Sequence, residues 1–146
     1  MIVISNKIRN FINFQKLGYV ATVSSDNSPN LSPKGTIIAI DESHLAFADI
    51  RSPQTIENLR HNSSIEINVV DPIRRKGFRF KGKGKIISEG KEFKKILEQY
   101  EKNGIKSKIN SIVIVSVETL SEVSSPSYDL GMTEDELILK WKEYYQ

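Results

Sequence analysis

The hydrophobic positions first recur at helical spacing, with Ile8, Phe11, Ile12 and Phe14 behind Ser5 as a candidate N-cap and Gly18 as a closing residue. From Tyr19 the rhythm changes. Tyr19-Val20-Ala21-Thr22-Val23 is β-branched and aromatic and stops at Asp26-Asn27-Ser28-Pro29, which predicts a strand and a turn. A second strand is expected from about Asn30 to Ile40, interrupted by Pro33 and Gly35, so it lies at an edge, carries a bulge or lets something approach its backbone. His44 to Ala48 returns as a third strand. Ser52-Pro53 then opens a helix running to about His61, since proline at the first helical position forfeits only an N–H that is unpaired anyway.

Alternation over Ile65 to Val69 and Phe78 to Ile87, and the apolar run Ile112 to Val117, give three more strands. Between the last two, Phe93, Ile96, Leu97 and Tyr100 keep helical spacing from Glu92 to Lys102. Ser121 to Met132 reads as loop. Thr133-Glu134-Asp135-Glu136 is a capping box for a final helix at about 133–145, with Leu137, Ile138, Trp141 and Tyr144 or Tyr145 as its apolar face. Six strands joined mostly by short turns, without a βαβ rhythm, predict a mainly β (α+β) fold, an antiparallel barrel with peripheral helices, as one domain over 1–146.

Composition narrows the chemistry. With 38% hydrophobic and 27% charged residues the chain is neither disordered nor low-complexity. Zero cysteines remove disulfides, thiolate metal sites and a cysteine nucleophile. His44 and His61, in a turn and at a helix end, make no expected metal site. No apolar run approaches the roughly 20 residues of a membrane span, and Met1 to Lys7 lacks the form of a secretory signal, so a cytoplasmic location is expected. Phosphate-loop, dinucleotide and serine-nucleophile motifs are missing.

The net charge of +3 conceals a polarised stretch. Residues 74–85 hold Arg74, Arg75, Lys76, Arg79, Lys81, Lys83 and Lys85 with no acid. Alternation puts Phe78, Phe80, Gly82, Gly84 and Ile86 on one face and the cations on the other. Such a ladder either is solvated, hindering edge pairing, or serves an anionic partner. Lys76-Gly77-Phe78-Arg79-Phe80 is partly similar to an RNA-stacking motif, yet Arg79, Lys81 and Lys83 break the pattern. Arg51-Ser52-Pro53-Gln54-Thr55 gathers a guanidinium, two hydroxyls and free N–H groups at a helix N-terminus, a geometry that suits phosphate. The same residues equally describe a plain helix start with Arg51 in water. Leu31-Ser32-Pro33-Lys34-Gly35-Thr36 sets a lysine and small residues where a flat or anionic ligand meets exposed backbone, or is simply an edge strand with a solvated lysine.

Taken in order, Gly18 to Val23, Pro29 to Gly35, Leu45 to Asp49, Arg51 to Thr55 with Asn58-Leu59, Ile65 to Asp71 and Gly77 to Gly84 resemble the FMN-binding split-barrel family related to pyridoxamine 5'-phosphate oxidase. The resemblance implies a homodimer of six-stranded antiparallel split β-barrels, with FMN in clefts at the interface and flavin redox chemistry on an unidentified small-molecule substrate. It implies that Ser32, Pro33, Lys34, Gly35 and Thr36 run beside the flavin ring, and that Ala48, Asp49, Arg51, Ser52 and Thr55 reach its ribityl chain and phosphate. Lys34 is a candidate for the phosphate or the pyrimidine edge. Gln54 or Thr55 stands where the family carries a phosphate-binding basic residue, so phosphate affinity leans on Arg51. The final residues lack the arginine-containing segment of pyridoxamine phosphate oxidase, so oxidation of that substrate is not expected. Relatives that bind the deazaflavin F420 share the fold, making F420 the alternative cofactor. The competing reading is a non-enzymatic anion- or nucleic-acid-binding module built on residues 74–85, with nucleic acid the less favoured partner.

Overall fold

The computed structural model describes residues 2–146. Helix α1 (Asn6–Gln15) begins where expected, with the Ser5 hydroxyl accepting from the Ile8 N–H at 3.3 Å. It ends on Lys16, whose φ is 61°, two residues before the expected closing residue; Gly18 instead starts β1 (Gly18–Val23). Ile12 is fully buried and Phe11 meets the edge of Phe78 at 5.3 Å, whereas Phe14 is 81% exposed and leaves the predicted apolar stripe.

The remaining strands are β2 (Pro29–Lys34), β3 (Ile38–Ala39), β4 (His44–Asp49), β5 (Ser64–Asp71), β6 (Lys76–Ile87) and β7 (Ser111–Ser124). All pair antiparallel in one sheet, in the order β2-β1-β5-β6-β7-β4-β3. The expected second strand is thus two strands, which makes seven rather than six. They occupy opposite ends of the sheet although only residues 35–37 separate them. Extended chain covers at most about 3.6 Å per residue, so the two edges of the sheet lie close together and the sheet curls into a barrel. Pro29 and Pro33 sit on an end strand, where a missing N–H breaks no inner ladder.

Two apolar clusters fill the fold. Ile12, Val20, Ile37, Leu45, Phe47, Ile67, Val69, Phe80, Val113 and Val115 belong to one, and Ile38, Ala46, Ala48, Ile112 and Ile114 join Ile96 and Tyr100 of helix α3 (Lys91–Lys102) in the other. Strands β4 and β7 are therefore buried on both faces over residues 45–49 and 111–115, which explains their uninterrupted apolar sequences. Strand β7 continues to Ser124, through residues expected to form loop, because it stays paired with β6 as far as Lys76. The ladder shifts at Lys81/Gly82, where a Cβ on Gly82 would lie 1.9 Å from the Ser116 carbonyl oxygen. Helix α2 (Pro53–His61) follows β4, and α4 (Pro126–Asp129) and α5 (Glu134–Tyr145) close the chain. The Thr133 hydroxyl accepts from the Glu136 N–H at 3.2 Å, capping α5.

Candidate functional site

The end of β2 and the start of α2 meet through one lysine. In the β1–β2 register Ser32 faces Val20 and Lys34 faces Gly18, so Ser32 and Lys34 share the side of the strand on which Val20 is buried. Lys34 is only 8% exposed. Its ammonium donates to the Ser32 and Ser52 hydroxyls, each at 2.8 Å. Burial pushes its pKa below the ordinary lysine value, opposed by the nearby Asp49 carboxylate.

Asp49 is itself fixed from three directions. Its Oδ1 accepts from the Ser52 N–H at 3.1 Å, its Oδ2 from the Ser111 hydroxyl at 3.0 Å, and its carbonyl from the Asn110 N–H at 2.9 Å. Ser52 occupies the cap position of α2, yet its hydroxyl makes no capping bond and accepts from Lys34 instead. The expected N-cap is therefore an anchor for the lysine, and the first turn of α2 keeps its N–H groups free of a side-chain cap.

The crossing between β2 and β3 is held just as firmly. Thr36 accepts from the Ala48 N–H through its hydroxyl at 2.9 Å and from the Tyr100 hydroxyl through its carbonyl at 2.8 Å. The Ile37 N–H donates to the Lys16 carbonyl at 3.0 Å. Gly35, between these anchors, is exposed, and a Cβ built on it would meet nothing within 4 Å. Backbone is open to solvent there.

Of the ten residues named from sequence, Ser32, Lys34, Asp49 and Ser52 form one network, and Thr36 and Ala48 are bonded to each other beside it. Arg51 is exposed, as are Pro33 and Gly35, while Thr55 is buried at 3% in the first turn of α2. Sequence reasoning missed Ser111, Asn110, Tyr100 and Asn58. Asn58 is 2% exposed and ties α2 to β1, its amide donating to Thr22 Oγ1 at 3.0 Å while its oxygen accepts from Gln54 at 2.8 Å. A polar residue at a core-facing helical position was the available signal for Asn58. Ser111 carried none, since its partner Asp49 stands opposite only in the register of β4 and β7.

A family model described as pyridoxamine 5'-phosphate oxidase matches residues 4–123. The chain belongs to this family. Among solved structures, HupZ of Group A Streptococcus is 28% identical, with 83% of this chain and 94% of that one aligned at a TM-score of 0.74. An FMN-binding protein from Syntrophomonas wolfei subsp. wolfei is 18% identical over 82% of this chain and 85% of its own, at 0.71. An F420 reductase is 17% identical over 80% and 98%, at 0.63. The last two likenesses establish the split-barrel fold. No curated protein matches the sequence.

All ten candidate residues fall inside the segment matched by the family, and so does the basic run. The network around Lys34 holds a single cation; the run behaves differently. Arg74 and Lys76 share Glu134 at 3.1 and 3.4 Å, and Arg79 pairs with Glu66 at 3.1 Å. Phe80 is fully buried and Phe78 packs on Phe11, so these rings belong to the core. Asp71, 4% exposed, receives the Ile73 and Arg74 N–H groups and the Arg74 guanidinium. Burial pushes the Asp71 carboxyl upward, but these bonds outweigh it and hold it below the ordinary carboxylate value. His44 Nδ1 lies 2.8 Å from Asp41, and among the described residues no helix is long and apolar enough to cross a membrane.

Proposed function

We propose that the chain binds FMN and acts as a flavin oxidoreductase in a homodimer. The observation that carries this reading is Lys34, a buried ammonium held by two hydroxyls beside the uncapped start of α2. An ammonium has three N–H donors, and the two bonds to serine leave one for an anion. Together with the exposed Arg51 guanidinium and the free N–H groups of the first helical turn, it makes a donor set suited to a phosphate monoester.

The residues present fit the rest of the group as well. The open backbone at Gly35, flanked by Lys34 and the doubly anchored Thr36, provides a rigid face for a flat ring, because Thr36 is held through both its hydroxyl and its carbonyl. Asp49 positions the loop from β4 to α2, and its carboxylate opposes the lowering of the Lys34 pKa by burial. Bound FMN would supply electron transfer, while the protein supplies orientation and electrostatics. Dimerisation belongs to the proposal because Gly35 and Arg51 are exposed in one chain, and a second wall would exclude water from the ring. The names of two structural relatives, an FMN-binding protein and an F420 reductase, support a flavin-type cofactor.

Titration of the purified protein with FMN and, in parallel, with F420 tests this. The expected result is saturable binding of FMN accompanied by a change in its visible absorption. Preference for F420 would move the assignment to the deazaflavin, and failure to bind either would overturn the reading.

A further inference from the structure

The outer face of the β5–β6–β7 ladder carries a second cationic site. An open groove of about 360 Å³ is lined by Arg75, Lys76 and Arg79 together with Asn68, Ser124 and Ser125. Register explains why these groups converge. Asn68 pairs with Arg79, both on the side of β5 opposite the buried Ile67 and Val69, and Lys76 pairs with Ser124. Lys76 already shares Glu134 with Arg74, and Arg79 pairs with Glu66. Arg75 differs: among the described residues no carboxylate lies within 4 Å of it.

Arg75 is instead held by carbon. Its guanidinium lies 3.5 Å from the centroid of the Trp141 ring, and its Nη2 donates to the Tyr145 hydroxyl at 3.2 Å. Its Nε is buried with no partner. A guanidinium stacked this way is pre-oriented, with part of its donor fork uncommitted and no acid to compensate it. The cationic residues of the groove lie within the family match, which ends at residue 123, and Ser124, Ser125 and the Trp141 ring against Arg75 follow it.

We infer that this groove binds the phosphate group of a small phosphorylated metabolite, with Arg75 and Arg79 as the charged donors and the Ser124 and Ser125 hydroxyls as further partners. A phosphate monoester fits better than a monocarboxylate, because the donors reach the groove from β5, the β5–β6 turn, β6 and the end of β7, more directions than one planar carboxylate can use. The groove shares no residue with the Lys34 network.

Trp141 is the sole tryptophan, and it touches Arg75, so its emission reports on the groove. The protein is titrated with inorganic phosphate at constant ionic strength, first alone and then with saturating FMN, and the same titration is followed by calorimetry. The expected result is a saturable signal that chloride does not reproduce, that persists with FMN, and that Arg79→Gln weakens about tenfold or more without touching Trp141. A response that chloride reproduces, that FMN abolishes or that Arg79→Gln leaves unchanged would overturn the inference. Silence in both fluorescence and calorimetry would do the same.

Discussion

The molecule holds its positive charge in two contrasting ways. Lys34 is one buried ammonium, fixed by two neutral hydroxyls, with Asp49 near enough to oppose the cost of its burial. The run from Arg74 to Lys85 is mostly exposed, and Arg74, Lys76 and Arg79 pair with carboxylates. A buried charge without a direct ion pair is expensive, whereas exposed charges and pairs cost and contribute little. The lesson is that charge density along the sequence points to the run, while the energetic cost points to the lone lysine.

The largest expected effect follows from removing that cost together with its function. Lys34→Met should weaken FMN binding by roughly 1.5–3 kcal/mol through the lost charged hydrogen bond, while leaving the unfolding midpoint in denaturant unchanged or raised. A clear loss of stability with intact binding would reverse the comparison. Arg51→Ala should weaken FMN by a similar amount, about tenfold or more, with no change in melting temperature because the side chain is exposed.

At the other pole, Trp141→Ala removes the ring over Arg75 and should cost about 1–2 kcal/mol of stability, read as a lower midpoint in urea unfolding. Titration adds a smaller effect at each pole, and at both stability rises with pH, in the alkaline range for Lys34 and in the acid range for Asp71. The Lys34 pKa is lowered in the folded state, so between that value and the unfolded value near 10.5 the unfolded chain binds more protons. Stability contributed by this residue should therefore rise as the pH climbs toward 10.5, and Lys34→Met should abolish the rise. Asp71 is depressed below 3.8, so its contribution is complete above that pH and lost as pH falls through the folded value. Acid unfolding of wild type and Asp71→Asn would show it. Lys81→Ser, in the exposed run, should shift stability by less than about 0.5 kcal/mol.

Much of this contrast was legible locally. Ser5, Ser52-Pro53 and Thr133 mark helix starts that the structure keeps, and the alternation of β6 correctly turned Phe80 inward and the lysines outward. The interruption at Pro33 and Gly35 was visible, but its outcome, two strands at opposite ends of the sheet, was not, because the barrel closure that splits the stretch involves strands far along the chain. The end of β7 was hidden for a related reason. Glu118, Thr119, Ser121 and Glu122 are exposed and show no buried face, so only pairing with β6 reveals the strand. Within the site, the residue types of Lys34 and Ser52 were visible, but their bond joins positions 18 residues apart through the barrel, and it converts a predicted cap into a lysine anchor. The contact of Arg75 with Trp141 is more distant still, so neither residue alone signalled the other.

The claim that the Lys34 network receives the cofactor's phosphate is tested most directly by comparing FMN with riboflavin, which lacks that phosphate, in wild type and in Lys34→Met. Wild type should bind FMN about tenfold or more tighter than riboflavin, and the substitution should remove most of the difference. Equal affinity of wild type for the two flavins, or a preference for FMN that survives Lys34→Met intact, would contradict it.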